Sequence, residues 1–188
     1  MYEPTSGTPF DLSVDGSRGI GSEPSSDGKG NLVVGDSLGG IVDARATFSI
    51  DVEPTSQSAT QNHWQVLLRH QSSQTYYAVE LLPEATSNAH LIIFWAKSGS
   101  FHEMGKATLP FAVATGQQYV VEGRVSDTSS GVTVTAKAWP AGENAPASPQ
   151  LVQTDAAADA LTSGQVGVRL SIYSGPATET VDDFTVTT

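Results

Sequence analysis

The chain contains no cysteine. A disulfide framework, a thiolate nucleophile and any zinc site built on sulfur are thereby excluded. Basic residues are few: nine Lys and Arg stand against twenty Asp and Glu, a formal net charge of -11. That balance repels a phosphate backbone and an anionic lipid surface alike, so neither nucleic acid nor membrane is an expected partner. The surplus charge has a plain role in keeping the protein soluble. Long apolar runs are missing too. The longest, Leu91-Ile92-Ile93-Phe94-Trp95-Ala96, falls far short of the roughly 20 residues needed to cross a bilayer, and no membrane insertion is expected. The opening "MYEPTSGTPFDLSVDGSRG" lacks the basic stretch and apolar run of a signal peptide. The expectation is a chain that stays in the cytosol when made, or a segment cut from a longer secreted protein.

Signature motifs of catalysis are also scarce. There is no Gly-x-Ser-x-Gly elbow, no P-loop and no Gly-x-Gly-x-x-Gly after a strand. His63, His70, His90 and His102 have no metal-ligand spacing, so a zinc site is not expected. Helical periodicity is confined to "TDAAADAL", enough for one short turn.

What the chain does have is alternation. Residues 1 to 30 are rich in Gly, Pro, Ser and Asp with little period, and read as an extended or irregular arm. From residue 31 to 188, short runs alternate apolar and polar residues between turn signals such as "SGS", "DTSSG" and "PAGENAPASP". "ARATFSIDV" places Ala44, Ala46, Phe48, Ile50 and Val52 on one face. "HWQVLLRH" places Trp64, Val66, Leu68 and His70 together, and "YYAVELL" does so for Tyr77, Val79 and Leu81. Further runs align Tyr119, Val121, Gly123 and Val125; Val132, Val134, Ala136 and Ala138; and Val166, Val168, Leu170 and Ile172. About ten half-buried strands in one domain predict an all-β, antiparallel two-sheet sandwich of jelly-roll type.

The C-terminal half carries four elements in order: "TGQQYVVEGRV" after a Thr-Gly turn, "VTAKAWPAGE" with its Trp-Pro-x-Gly, "TSGQVGVRL", and a final Val-Asp-Asp-Phe strand. This set resembles the concanavalin A-like lectin/glucanase jelly roll. The resemblance covers residues 75 to 188. It is nearest to the version in minor tail proteins of tailed bacteriophages and in accessory modules of secreted bacterial polysaccharide enzymes. The family's usual opening strand, Asp-x-Phe-x-Arg, has no counterpart here. The same sandwich carries glycan binding, glycan hydrolysis and plain assembly in different proteins, so the fold leaves function open.

Glucanases of this family use a strand Glu-x-Asp-x-Glu, with the first Glu as nucleophile and the last as acid/base. In "FSIDVEP" Asp51 and Glu53 match the second and third positions, but Ser49 stands at the nucleophile position. A hydroxyl without a base beside it is a poor glycosyl nucleophile. The expectation is an acidic strand end without catalysis.

Glycan binding asks for aromatic faces flanked by hydrogen-bonding groups. Trp64, Tyr76, Trp95, Phe101, His102 and Tyr173 are aromatic candidates. Tyr76 shares its face with Glu80, and Tyr173 with Arg169 and Ser171. An exposed platform of Arg45, Arg69, Tyr76, Glu80, Arg169 and Tyr173, with Trp95 beside it, is the expected glycan site. Trp139 reads as packing. Asp182 and Asp183, the one adjacent acid pair, are the candidate calcium ligands.

The resemblance implies a non-catalytic virion protein of a tailed phage, in the tail or on another surface. Its expected partners are other virion proteins, further copies of itself in a homo-oligomer, and host-surface polysaccharide. The alternatives are a secreted, extracellular carbohydrate-binding module of a polysaccharide-degrading enzyme, or a purely structural virion protein without a glycan ligand.

Overall fold

The computed structural model describes residues 2–7, 11–15, 18–23, 28–51, 62–84, 87–172 and 177–188, with side chains described at 19–22, 31–33 and from 36 onward within these stretches. The described residues form fourteen strands and no helix. In chain order these are β1 (Tyr2–Gly7), β2 (Asp11–Asp15), β3 (Arg18–Glu23), β4 (Gly28–Gly39), β5 (Val42–Ile50), β6 (His63–Ser72) and β7 (Thr75–Leu82). The second half contributes β8 (His90–Lys97), β9 (Ser100–Thr108), β10 (Tyr119–Thr128), β11 (Gly131–Pro140), β12 (Leu151–Asp155), β13 (Ser163–Ile172) and β14 (Ala177–Thr187).

They make two seven-stranded antiparallel sheets. Sheet A runs β1-β4-β13-β6-β7-β8-β9, and sheet B runs β12-β11-β10-β5-β14-β3-β2. The stretch expected as an arm supplies β1 to one edge of sheet A and β2 and β3 to one edge of sheet B. Strand pairing needs only backbone N–H and C=O groups, so a Gly- and Ser-rich sequence with little period can still complete a sheet edge. "TDAAADAL" forms the end of β12 and a bend, closed by one Ala160 N–H to Ala157 C=O bond of 3.1 Å, and no helix.

The two sheets meet on the faces that alternation predicts. Ala44, Ala46, Phe48 and Ile50 of β5 pack against Trp64, Val66 and Leu68 of β6, Tyr77, Val79 and Leu81 of β7, and the inward residues of β10, β11 and β13. Val52 lies outside the described residues. At the centre, Phe48 stacks on Trp64 with ring centroids 5.8 Å apart, and Trp64 on Tyr119 at 6.2 Å. Burial of each such ring stabilises the fold by about 2–3 kcal/mol. Gly123 sits at a close approach of the layers: a Cβ there would meet Val79 Cγ2 at 3.0 Å and Leu68 Cδ1 at 3.1 Å.

Of the register shifts in the two sheets, those on β6 and β14 matter below. On β6 the register shifts between Leu68 and Ser72, with Arg69 in the left-handed region at φ 50°. His70 therefore leaves the Trp64-Val66-Leu68 face and stacks on Tyr76 at 5.9 Å. On β14, Asp182 pairs with Thr47 and Thr185 with Arg45, so one extra residue is inserted between them.

Candidate functional site

The face of sheet A turned away from sheet B carries a row of rings. Strands β7, β8 and β9 place Tyr76, Phe94 and Phe101 on it: Tyr76 and Phe94 alternate with residues of the interlayer core, and Phe101 pairs with Ala96 across β8 and β9. Phe101 lies 6.4 Å from Phe94, and Phe94 meets Tyr76 edge-on at 6.0 Å. Exposure falls along the row: Phe101 is 64% exposed, Phe94 is half-buried and Tyr76 is fully buried. Leu67, Ala78 and Ala96 complete the small apolar cluster around them.

The buried end of the row is polar. The guanidinium of Arg169 lies over the Tyr76 ring, 4.6 Å from its centroid. Its Nε donates to Asn31 Oδ1 at 2.6 Å, its Nη1 donates to the Tyr76 hydroxyl, and its Nη2 reaches the Ser73 carbonyl at 3.5 Å. On the neighbouring strands, Gln65 Nε2 donates to Glu80 Oε2 at 2.5 Å, and His63 Nδ1 lies 3.3 Å from the same oxygen. Burial opposes ionisation of Glu80, yet the charge and hydrogen bond of His63, the Gln65 bond and the charge of Arg169 together hold its carboxyl below the usual range. The network is a charged, hydrogen-bonded floor under an aromatic row whose far end reaches solvent.

Of the expected platform, then, Tyr76, Glu80 and Arg169 share a face and are brought together, but they are buried rather than exposed. Arg69 departs from it. The β6 bulge turns its side chain to the end of the sandwich, where Nη1 donates to Asp127 Oδ1 and to the Leu161 carbonyl, both at 2.6 Å, and Nη2 donates to the Gly40 carbonyl at 2.7 Å. It clamps three chain segments, and its hydrogen bond holds the Asp127 carboxyl below the ordinary range. Trp95 faces inward at the side of the sandwich, with Lys97 Nζ 4.9 Å over its ring and His102 5.2 Å away. Arg45 lies on sheet B, exposed on that sheet's outward face. Tyr173 is outside the described residues. Asn31, Gln65 and Phe94 were missed. Phe94 was legible from the alternation of "LIIFWA", while Asn31 joins only because β4 pairs with β13.

The "FSIDVEP" strand end is fastened to β14. The Ser49 hydroxyl bonds to the Thr180 hydroxyl at 2.6 Å, and Asp51 Oδ1 accepts the Thr178 N–H at 2.7 Å. Glu53 lies outside the described residues. Beside this strand, Glu179 points into the core with no exposure, and neither of its carboxyl oxygens has a hydrogen-bond partner of good geometry among the described residues. Burial, reinforced by the nearby charge of Asp51, pushes its carboxyl well above the usual range against the pull of the Ser171 backbone and the Trp64 indole. Its alternation with Ala177 and Val181 was visible in the sequence.

The candidate calcium pair lies at the β14 bulge. The β14 bulge keeps Phe184 packed on the core and leaves Asp183 exposed at φ 50°, so Asp183 does not share the core face of Val181. Asp182 Oδ1 accepts the Asp183 N–H at 2.8 Å. Among the described residues no group of three or more His, Asp or Glu side chains converges as metal ligands would.

No protein-family model and no curated protein sequence matches the chain. Solved structures do. The carbohydrate binding module CBM66 from Bacillus subtilis superposes with a TM-score of 0.62 at 10% identity, over 100% of this chain and 95% of that one. A Lotus tetragonolobus seed lectin gives a TM-score of 0.66 at 10% identity, over 100% and 92% of the two chains. The exoplasmic/lumenal domain of VIP36, in its Ca2+/Man3GlcNAc-bound form, gives 0.64 at 7% identity, over 100% and 82%. At such identities the likeness carries architecture alone, and that architecture is an antiparallel two-sheet jelly roll of concanavalin A-like form.

Proposed function

We propose that the chain is a non-catalytic glycan-binding module, with its ligand stacked on Phe101 and Phe94 along the outward face of sheet A. The observation that carries this reading is the graded row of rings, open at Phe101 and closed at Tyr76 by the Arg169 network. A sugar places its C–H face on such rings while fixed polar groups nearby take its hydroxyls. Glu103, exposed and directly across from Phe94 in the register, offers an acceptor beside the row. Solved structures of the same architecture that are named as a carbohydrate-binding module and as lectins support the reading. Two settings agree with the resemblance of the C-terminal half: a tailed-phage virion surface that meets host polysaccharide, and a secreted polysaccharide-degrading enzyme that carries the module.

Glycan arrays and pull-downs on bacterial envelope polysaccharides test it. The native chain retains at least one polysaccharide, and Phe101→Ala weakens retention by about tenfold, the worth of one good ring contact. The melting temperature stays unchanged, since Phe101 is 64% exposed. Retention that survives the substitution removes the site. Failure to bind any polysaccharide leaves a purely structural protein, and release of new reducing ends overturns the non-catalytic reading.

A further inference from the structure

The opposite side of the molecule holds a second candidate site, distinct from the ring row. Two shallow depressions of about 190 and 470 Å³ lie on the outward face of sheet B and share Arg45 and Thr185, so they form one trough. Thr47, Gln118 and Asp183 add polar groups, and Val120 an apolar patch.

The charges along this face are mostly spoken for. Asp43 pairs with Arg124 at 3.1 Å and Glu122 with Lys137 at 3.5 Å. Arg45 lies between Glu122 on β10 and Thr185 on β14 in the register, yet it makes no ion pair among the described residues. Arg45 lines both depressions. Asp183 lines the same trough because the β14 bulge turns it out there, in a left-handed conformation that a residue with a side chain adopts at a cost of about 1 kcal/mol. Bulges re-aim side chains, and strained ones recur beside functional sites.

We propose that this trough binds a neutral saccharide unit. The guanidinium of Arg45 donates to vicinal hydroxyls, the carboxylate of Asp183 accepts from another, Thr47, Thr185 and Gln118 supply weaker bonds, and the C–H face rests on Val120. A neutral ligand is favoured over an anionic one by charge. Asp43, Glu122 and Asp183 all border the trough, and the chain as a whole carries -11. Within a screening length of about 8 Å an anion at Arg45 feels those carboxylates as well as the guanidinium. The site stands independently of the ring row. Together the two would make a module that holds saccharide on both faces.

Amide and methyl NMR of the full chain, titrated with lactose, cellobiose and glucuronate in the millimolar range, tests this. The expected result is saturable shifts with either neutral disaccharide at Thr47, Gln118, Val120, Gly142 and Thr185, weakened about tenfold by Arg45→Ala and by Asp183→Asn. Phe101→Ala leaves these shifts in place, so failure of the ring-row reading is read separately. Absence of saturable shifts with both disaccharides overturns the proposal. So does binding of glucuronate alone with steep salt dependence, which would make Arg45 an anion site. Equal shifts in Arg45→Ala and the native chain overturn it too.

Discussion

The outward faces of the two sheets differ in how they hold their charges. On sheet A, Arg169 and Glu80 are 7% exposed each, and three strands contribute partners: Asn31 from β4, Gln65 and His63 from β6, Tyr76 from β7. On sheet B, Arg124, Asp43, Lys137 and Glu122 pair across strands in the open, with side chains 23 to 46% exposed. The same residue types thus sit in two dielectrics. A buried charge must keep its partners, because losing one leaves an uncompensated group in a poor solvent. An exposed pair is worth little either way, because water replaces the lost partner. Sheet A's face is accordingly a rigid floor on which an aromatic row is built, whereas sheet B's face is a solvated lattice in which Arg45 makes no ion pair among the described residues.

Three variants sharpen or break that contrast. The largest effect is expected for Arg169→Ala, which strands Asn31 and the Tyr76 hydroxyl. We expect a loss of about 3–4 kcal/mol, read as a lower urea midpoint with an unchanged slope. A loss below about 1 kcal/mol would mean that the sheet A network is no more than a surface contact. Next comes Glu179→Gln, on the core side of β14. Its folded carboxyl titrates above its unfolded value, so the native state holds the extra proton. The stability this group contributes is complete in acid below about pH 4.5, and it declines as pH rises through the folded value, by at most about 1.4 kcal/mol per pH unit. The amide variant cannot ionise. It should match the native chain near pH 4 and exceed it at neutral pH, as followed by melting temperature across a pH series. Coincident curves would show that Glu179 ionises without cost. Glu80 acts in the opposite sense: its lowered carboxyl stabilises above the unfolded value, and that contribution is lost as pH falls. The smallest effect is expected for Lys137→Ala on sheet B, about 0.5 kcal/mol or less and shrinking with added salt. A loss of several kcal/mol there would erase the distinction between the faces.

The core was legible wherever a strand keeps its period. Phe48, Trp64, Tyr77, Tyr119 and Val168 each lie on the face that alternation assigns, because a strand whose inner face is buried tolerates no slip in register. Legibility failed at the bulges. The register shift near Arg69 sends His70 to the far face and turns Arg69 toward Asp127, Leu161 and Gly40. Another in β14 sends Asp183 outward. The platform expected from Arg45, Arg69, Tyr76, Glu80, Arg169 and Tyr173 was built on face alternation alone, which cannot tell which sheet a strand joins. Arg45 is on sheet B, while Tyr76 and Arg169 meet on sheet A, with β6 between their strands.

By itself, the sequence determined an all-β chain of half-buried strands and most of the residues in its core. Those follow from the free energy of removing apolar side chains from water, which acts locally and leaves a period of two. Only the tertiary structure decided which polar residues became a buried network and which stayed a solvated surface. That depends on strand order, on bulges and on partners contributed from as far apart as Asn31 and Arg169, and none of these leaves a mark in neighbouring residues.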